Sequence, residues 1–306
     1  MENIPSNLLP LLAQFPAEIQ EKIIHGWSQL RSIISFRVNH LKSSAEEVIQ
    51  SLEEASLPYS VWELSDDAFT LPIENAYALK WLDIYTSGKI YVQSLASMMP
   101  ALCLDLQPGQ KILDMAAAPG SKTTQIASIL RGKCQITALE KFGIRHEKLT
   151  HTIDMQGAGE CITVVKMDAL DYVDTATEKY DRILLDAPCS SDGRINLADE
   201  RTYKWFSEAK SIAKAQLQLK MLEAASQLLS PTGRIVYSTC SLTRGENEKV
   251  INAFLRKHPE FKTIPSLITS DYVLPEYQNM TVGRWLPSQV QEWFFLALFE
   301  KQSHPV

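Results

Sequence analysis

No apolar run in this sequence of 306 residues approaches the roughly 20 residues a helix needs to span a bilayer, which excludes a helical membrane protein. The opening MENIPSNLLP lacks the basic-then-apolar order of a secretory signal, so the expected location is the cytoplasm. Cysteine is scarce. The five, Cys103, Cys134, Cys161, Cys189 and Cys240, are odd in number and scattered, and no Cys/His group has zinc spacing. Neither a disulfide framework nor a metal is expected, and Cys103, Cys134 and Cys161 read as small buried hydrophobes. A surplus of positive charge is missing too: 30 Lys and Arg stand against 36 Asp and Glu, a net charge of −6. That weighs against a dedicated nucleic-acid binder, while leaving room for an acidic enzyme with one basic cleft. Internal repeats and low-complexity tracts are absent.

The residues that are present suit a globular enzyme. With 45% hydrophobic and 22% charged residues the chain can bury a sizeable core. Its length predicts two domains, or one large domain with an appendage. The texture changes near residue 85. Residues 1–85 read as a small α/β domain of short helices and a few extended pieces. Within it a helix is expected over Ala45–Ala55, entered through Ser43 and Ser44 with Glu46 and Glu47 in the first turn. Pro58, Pro72 and the turn-prone Ser65-Asp66-Asp67 break up the stretch after that helix. Residues 86–306 read as a regular larger domain. Short β-rich runs, Lys111–Asp114, Gln135–Glu140, Thr163–Asp168, Arg182–Asp186 and Arg234–Ser238, alternate with helical stretches. One helix carries a stripe at Ile212, Ala215, Leu219, Leu222, Ser226 and Leu229, ended by the turn Pro231-Thr232-Gly233. Such alternation predicts an α/β fold, a mostly parallel sheet with helices on both faces.

In an open sheet of this type the ligand lies at the carboxyl ends of the strands. The first run leads into Asp114–Thr123 (DMAAAPGSKT), whose small residues let a ligand approach the backbone. This is neither a Walker loop, since Ser121 parts Gly120 from Lys122 and no glycine lies five residues upstream, nor a Gly-x-Gly-x-x-Gly fingerprint. An NTPase and a dehydrogenase are therefore disfavoured. Glu140 is placed to accept ribose hydroxyls, and Asp168 to meet an adenine amino group. Three strand-end acids after a small-residue loop point to an adenosine cofactor without a triphosphate, with S-adenosylmethionine the obvious candidate.

The next two runs deliver Asp186-Ala-Pro-Cys189-Ser190 and Tyr237-Ser-Thr-Cys240-Ser241. Two thiols are thus expected side by side over the cofactor. A thiolate there suits methylation at carbon 5 of cytosine, an atom too electron-poor to attack a methyl sulfonium unaided. Addition of sulfur to carbon 6 sends electrons to carbon 5, and loss of the carbon 5 proton later frees the thiol. An acid near ring nitrogen 3 stabilises the charge that builds on the base.

These segments carry a family resemblance. Tyr91-Val92-Gln93 with Ala96-Ser97, Asp114–Thr123, Asp186–Ser190, Tyr237–Ser241 and Glu246-Asn247-Glu248, in this order, resemble the Sun/RsmB/NSUN group of RNA (cytosine-5) methyltransferases. Arg37-Val38-Asn39 with Lys42 resembles that group's N-terminal element. The resemblance implies a Rossmann-like class I methyltransferase fold, behind an N-terminal RNA-binding domain. By resemblance Cys240, in Thr-Cys, is the nucleophile and Cys189, in Pro-Cys, assists release. By resemblance too, Ala116, Ala117, Ala118, Pro119, Gly120, Ser121 and Lys122 line the S-adenosylmethionine site, with Glu140, Arg145, Asp168 and Asp186 as further contacts. Lys122 and Asp186 then face both cofactor and cytosine. The chain departs from the family pattern at Ser121 and Ser94, and at Glu292-Trp293-Phe294-Phe295 where Gly-Phe-Phe is usual.

RNA is the implied partner, ribosomal before transfer RNA, and the enzyme is expected to be a monomer. Candidate RNA contacts are Lys204-Trp205-Phe206 with Arg201, Lys210 and Lys214, and an N-terminal patch of Arg31, Arg37 and Lys42. Two other readings predict different behaviour. A DNA cytosine-5 methyltransferase would use Cys189 as nucleophile. A non-catalytic RNA-binding assembly factor would transfer no methyl group.

Overall fold

Two sheets form from the β-rich runs in the computed structural model, which describes residues 4–266, 280–288 and 292–302. The smaller is antiparallel, built from β1 (Ile33–Val38), β2 (Ser60–Trp62), β3 (Ser65–Pro72) and β4 (Ile90–Val92) in the order β2-β3-β1-β4. Its last strand lies beyond residue 85, where the sequence texture changes. The helix Ala45–Glu54 covers it, packing Val48 and Leu52 against Phe36, Phe69 and Leu71. The Ser44 hydroxyl caps this helix by accepting from the Glu47 amide at 3.3 Å. Ser65-Asp66-Asp67, expected to break the chain, opens β3 instead. Trp62 faces Ser65, so Glu63 and Leu64 make the turn. Pairing of β3 with strands on both edges outweighs the turn preference of its first residues.

The larger sheet contains β5 (Lys111–Asp114), β6 (Gln135–Leu139), β7 (Ile162–Val165), β8 (Tyr180–Asp186), β9 (Leu229–Thr239), β10 (Phe261–Ile264), β11 (Val282–Trp285) and β12 (Phe294–Lys301). Its order is β7-β6-β5-β8-β9-β12-β10, with β11 also on β12. Strands β5 to β9 pair in parallel, and β10, β11 and β12 join antiparallel. Alternate residues of one strand feed opposite cores. Ile112, Ile136, Leu184 and Val236 pack with Ile126, Leu149 and Ile153 on one face. Leu113, Leu139, Leu185 and Tyr237 pack with Leu222, Ala225 and Phe254 on the other. The chain leaves β5 for β6 and β7, then returns to β8 on the far side. The strand order therefore reverses at β5/β8, where a ligand crevice opens.

Two local expectations are corrected. The long helix Glu208–Leu228 buries Ser211, Gln218, Met221, Leu222 and Ala225, whereas Ile212 is 54% exposed. Its inner end faces a polar cluster rather than the apolar core, which shifts the buried stripe. Pro231-Thr232-Gly233 does not stand outside the next strand but bulges within β9, because Tyr180 pairs with Leu229 and Arg182 already with Arg234.

The N-terminal segment divides between the two units. Leu8, Leu11, Phe15, Ile23 and Trp27 pack against Ile195, Leu242 and Trp293 of the larger unit, not under the small sheet. Of the expected basic patch, Arg37 is buried while Lys42 stays exposed. Arg37 is 3% exposed and donates to Gln93 Oε1 (2.9 Å), the Ser121 carbonyl (3.1 Å) and Thr124 Oγ1 (2.9 Å). Lys42 donates to the carbonyls of Ser87 (2.9 Å) and Met155 (2.8 Å). Arg31 pairs with Glu292. Arg37 thus ties β1 to the helix Ser121–Ile129, which begins at the small-residue loop. Arg37→Ala leaves several buried acceptors unmatched, and is expected to lower stability by about 3 kcal/mol in urea unfolding. An unchanged midpoint would contradict this role. No described helix is long and apolar enough to cross a membrane.

Candidate active site

The carboxyl ends of β5, β6, β8 and β9 surround one crevice. A cavity of ≈ 620 Å³ is lined there by Ala116, Ala117, Ala118, Pro119, Ser121, Lys122, Asp114, Asp186, Cys189 and Cys240, among others. A smaller one of ≈ 160 Å³ is lined by Leu139, Glu140, Phe142, Met167, Asp168 and Ala169. Ala116, Arg145, Pro188 and Lys214 line both, so the two adjoin. Every sequence-predicted cofactor residue except Gly120 lines one or the other. Gly120 turns the loop instead. Its φ of +105° favours glycine, and an added Cβ would lie 3.1 Å from Leu149 and 3.2 Å from Thr152.

The acids are held in place before any ligand arrives. Asp114, 1% exposed at the end of β5, accepts from Thr123 Oγ1 at 2.7 Å. Burial raises its carboxyl to about 6. Glu140 follows β6 and is 5% exposed. It accepts from the Phe142 amide at 2.9 Å and pairs with Arg145 at 3.3 Å, while Arg145 also donates to the Ala118 carbonyl at 2.9 Å. Asp168 does not close a strand, because β7 ends at Val165. It caps the helix Ala169–Thr175, accepting from the Leu170 amide at 3.0 Å, and pairs with Lys141 at 2.8 Å.

At the other end of the crevice, Lys122 is 7% exposed and donates to Asp186 Oδ2 at 2.6 Å and Ser97 Oγ at 2.9 Å. Asp186 Oδ1 accepts from Ser238 Oγ at 2.8 Å, a link between the ends of β8 and β9. The two cysteines lie just past those ends, with Sγ atoms 3.3 Å apart. The contact is a hydrogen bond between free thiols. It lowers Cys240 to about 6, with Arg194 adding to the effect and burial opposing it. The same hydrogen bond, with burial behind it, pushes Cys189 up. The shared hydrogen bond thus favours the thiolate at Cys240 and the thiol at Cys189.

Beneath the cysteines lies a buried polar cluster that sequence reasoning missed. Glu246, fully buried, accepts from the Ser190 amide (3.0 Å), Ser211 Oγ (2.8 Å) and Gln218 Nε2 (2.8 Å). Asp192, 2% exposed, accepts from Ser190 Oγ (2.8 Å), Ser241 Oγ (3.2 Å) and the Leu242 amide. Burial, with Glu246 nearby, raises the Asp192 carboxyl to about 7. These two acids clamp the loop after each cysteine. Asn247 joins them, accepting from Thr239 Oγ1 (2.6 Å) and donating to the Ser241 carbonyl (2.7 Å). The only sequence signals were the Glu246-Asn247-Glu248 triplet and an acid three residues after Cys189. Trp293, one of the departures from the family pattern, donates from Nε1 to the same Ser241 carbonyl at 2.6 Å. Gly193 packs beside it, where an added Cβ would lie 2.9 Å from Trp293 and 2.5 Å from the Cys240 carbonyl. The Ser94 departure is local, since its hydroxyl caps the helix Leu95–Leu102.

The chain is similar to several known proteins. A family model described as "16S rRNA methyltransferase RsmB/F" matches residues 101–300. Ribosomal RNA small subunit methyltransferase F of Shewanella amazonensis is 31% identical over 274 residues, covering 88% of this chain and 58% of that protein. Mouse tRNA (cytosine(72)-C(5))-methyltransferase NSUN6 is 39% identical over 198 residues, covering 61% and 40%. A crystal structure of a methyltransferase homolog protein from Pyrococcus horikoshii superposes with a TM-score of 0.81 at 27% identity, covering 97% of this chain and 98% of that one. The chain spans about half the length of the curated relatives it matches.

Proposed function

This chain belongs to the RsmB/F methyltransferase family, and from that premise we propose that it methylates carbon 5 of a cytosine in RNA, ribosomal RNA before transfer RNA, using S-adenosylmethionine. The observation that carries this reading is the pair of thiols 3.3 Å apart, one of them lowered to about 6, facing a cavity that adjoins an acid-lined pocket. The name of the mouse relative specifies cytosine C5, and the family description specifies 16S rRNA. Transfer RNA is the alternative, on the same mouse name.

The residues present suit the donor. Glu140 is a buried carboxylate with capacity left for ribose hydroxyls. Asp168, Met167 and Phe142 offer one acidic and two apolar surfaces for an adenine. Ala116–Ala118 keep the backbone open toward Cys240. When bound, S-adenosylmethionine supplies an electrophilic methyl group.

The chain's own residues do the rest. Cys240 Sγ, as thiolate, forms a bond to carbon 6 of cytosine, and the displaced electron pair makes carbon 5 nucleophilic. Lys122 and Asp186 hold the cytosine and balance charge on its ring. Cys189, beside Cys240, assists loss of the carbon 5 proton to water, and the pair of electrons left from the C–H bond re-forms the ring double bond, expels Cys240 from carbon 6 and restores the thiolate. The polar cluster of Asp192, Glu246 and Asn247 holds the two loops so that the sulfurs stay in register. We also assign the N-terminal unit to RNA binding, supported by Tyr77 and Trp81, each 71% exposed with rings 5.9 Å apart.

The test is transfer of labelled methyl from S-adenosylmethionine to 16S ribosomal RNA, followed by bisulfite mapping. Protected cytosines are expected, and label recovered at any other atom would refute the reading. The donor site has its own check. Glu140→Ala is expected to weaken S-adenosylhomocysteine binding about tenfold or more by calorimetry, the scale of losing hydrogen bonds to a charged acceptor. Unchanged affinity would remove Glu140 from the site.

A further inference from the structure

A side cavity of ≈ 320 Å³ adjoins the reaction cavity and shares Cys189 and Lys214 with it. Trp205 and Lys210 line its outer part. Trp205 is 69% exposed, unusual for so large an apolar ring, yet its neighbours anchor it. Phe206 beside it packs into the cluster of Leu11, Phe15 and Trp27. Ser207 then caps the long helix through the Lys210 amide, and Lys210 Nζ donates to the Trp205 carbonyl at 2.9 Å. The ammonium groups of Lys204 and Lys210 lie 5.2 and 5.8 Å from the ring. The result is an aromatic face held out to solvent in a positive setting.

Lys214 stands one helical turn beyond Lys210. It lines the reaction cavity, the acid-lined pocket and the side cavity together. Half-buried, it has no hydrogen bond or ion pair among the described residues. A cation left unmatched at a junction suits an anion that passes through it. Through shared lining residues the molecule thus connects the cavity at Cys240, an unpaired ammonium at Lys214 and an exposed indole at Trp205. That order matches base, phosphate, base in a single strand.

We propose that the side cavity seats the nucleotide next to the target cytosine, its base stacked on Trp205 and the connecting phosphate held by Lys214. The proposal rests on RNA being the substrate. Trp205 is exposed and Lys214 unpartnered, so variants at both positions keep the fold. The probe is fluorescein-labelled hexacytidylate, followed by anisotropy. Trp205→Ala is expected to weaken binding about tenfold, the scale of losing one stacked base, and Trp205→Phe to retain most of it. Lys214→Gln is expected to weaken binding and to flatten the salt dependence by about one phosphate contact. Equal affinity of wild type and Trp205→Ala, or no binding of hexacytidylate by wild type, would overturn the subsite. Failure of the methyltransferase reading would show separately, as absence of label transfer from the wild type to ribosomal RNA.

Discussion

Replacing Cys240 with alanine is expected to abolish methyl transfer, a loss on the order of 10⁴-fold or more, as removal of a covalent nucleophile does in other enzymes. No other group in the crevice can take over. Cys189 is next to it, and although the variant removes their shared hydrogen bond, burial still disfavours its thiolate. Lys122 is engaged by Asp186 and Ser97. The change removes one sulfur from a side chain that is 9% exposed, so the fold and the donor pocket survive it. Binding of S-adenosylhomocysteine by the variant should therefore equal that of wild type, which separates loss of chemistry from loss of structure. A variant that kept even a hundredth of the wild-type rate would point to a different nucleophile.

Replacing Cys189 with alanine is expected to act at the other end of the reaction. Attack by Cys240 still occurs, but release fails, and a protein–RNA adduct stable on denaturing gels accumulates while turnover falls by orders of magnitude. The same variant changes the acidity of Cys240. In the wild type the hydrogen bond from Cys189 favours the thiolate and lowers Cys240 to about 6. Without it the thiol is favoured, and the pKa moves up toward the ordinary value of about 8.5. The rate of Cys240 alkylation by iodoacetamide should inflect near pH 6 in wild type and at clearly higher pH in Cys189→Ala. Adduct formation by the variant should accordingly speed up as pH rises from 6 to 8. An inflection that stayed in place would show that Arg194, not Cys189, controls the thiolate.

The parts of this site legible in the sequence share one property: they follow strands whose pattern is local. Asp114, Asp186, Cys189 and Cys240 each stand just past a short apolar run, and the parallel-sheet rule places such residues at one edge. Glu140 and the Ala116–Lys122 loop were read in the same way. The hidden parts depend on contacts between distant segments. Asp192 and Glu246 meet under loops that are far apart in the chain, and nothing local marks either as buried. Arg37 looked like a surface cation because its acceptors, Gln93, Ser121 and Thr124, come from elsewhere. Ser65–Asp67 has turn chemistry, but Ser65 pairs with Trp62 and the strand it opens pairs with β1 from Ala68 onward. Lys214 sits in an unremarkable helical run, and only the convergence of three cavities distinguishes it.

The role of Cys240 is tested most directly by locating the bond it forms. The Cys189→Ala protein is incubated with S-adenosylmethionine and ribosomal RNA, digested with nuclease and protease, and mapped by mass spectrometry. A cytidine adduct on the peptide bearing Cys240, absent when Cys240 is also changed to alanine, is the predicted result. An adduct on any other residue, or one that persists in the double variant, would contradict it.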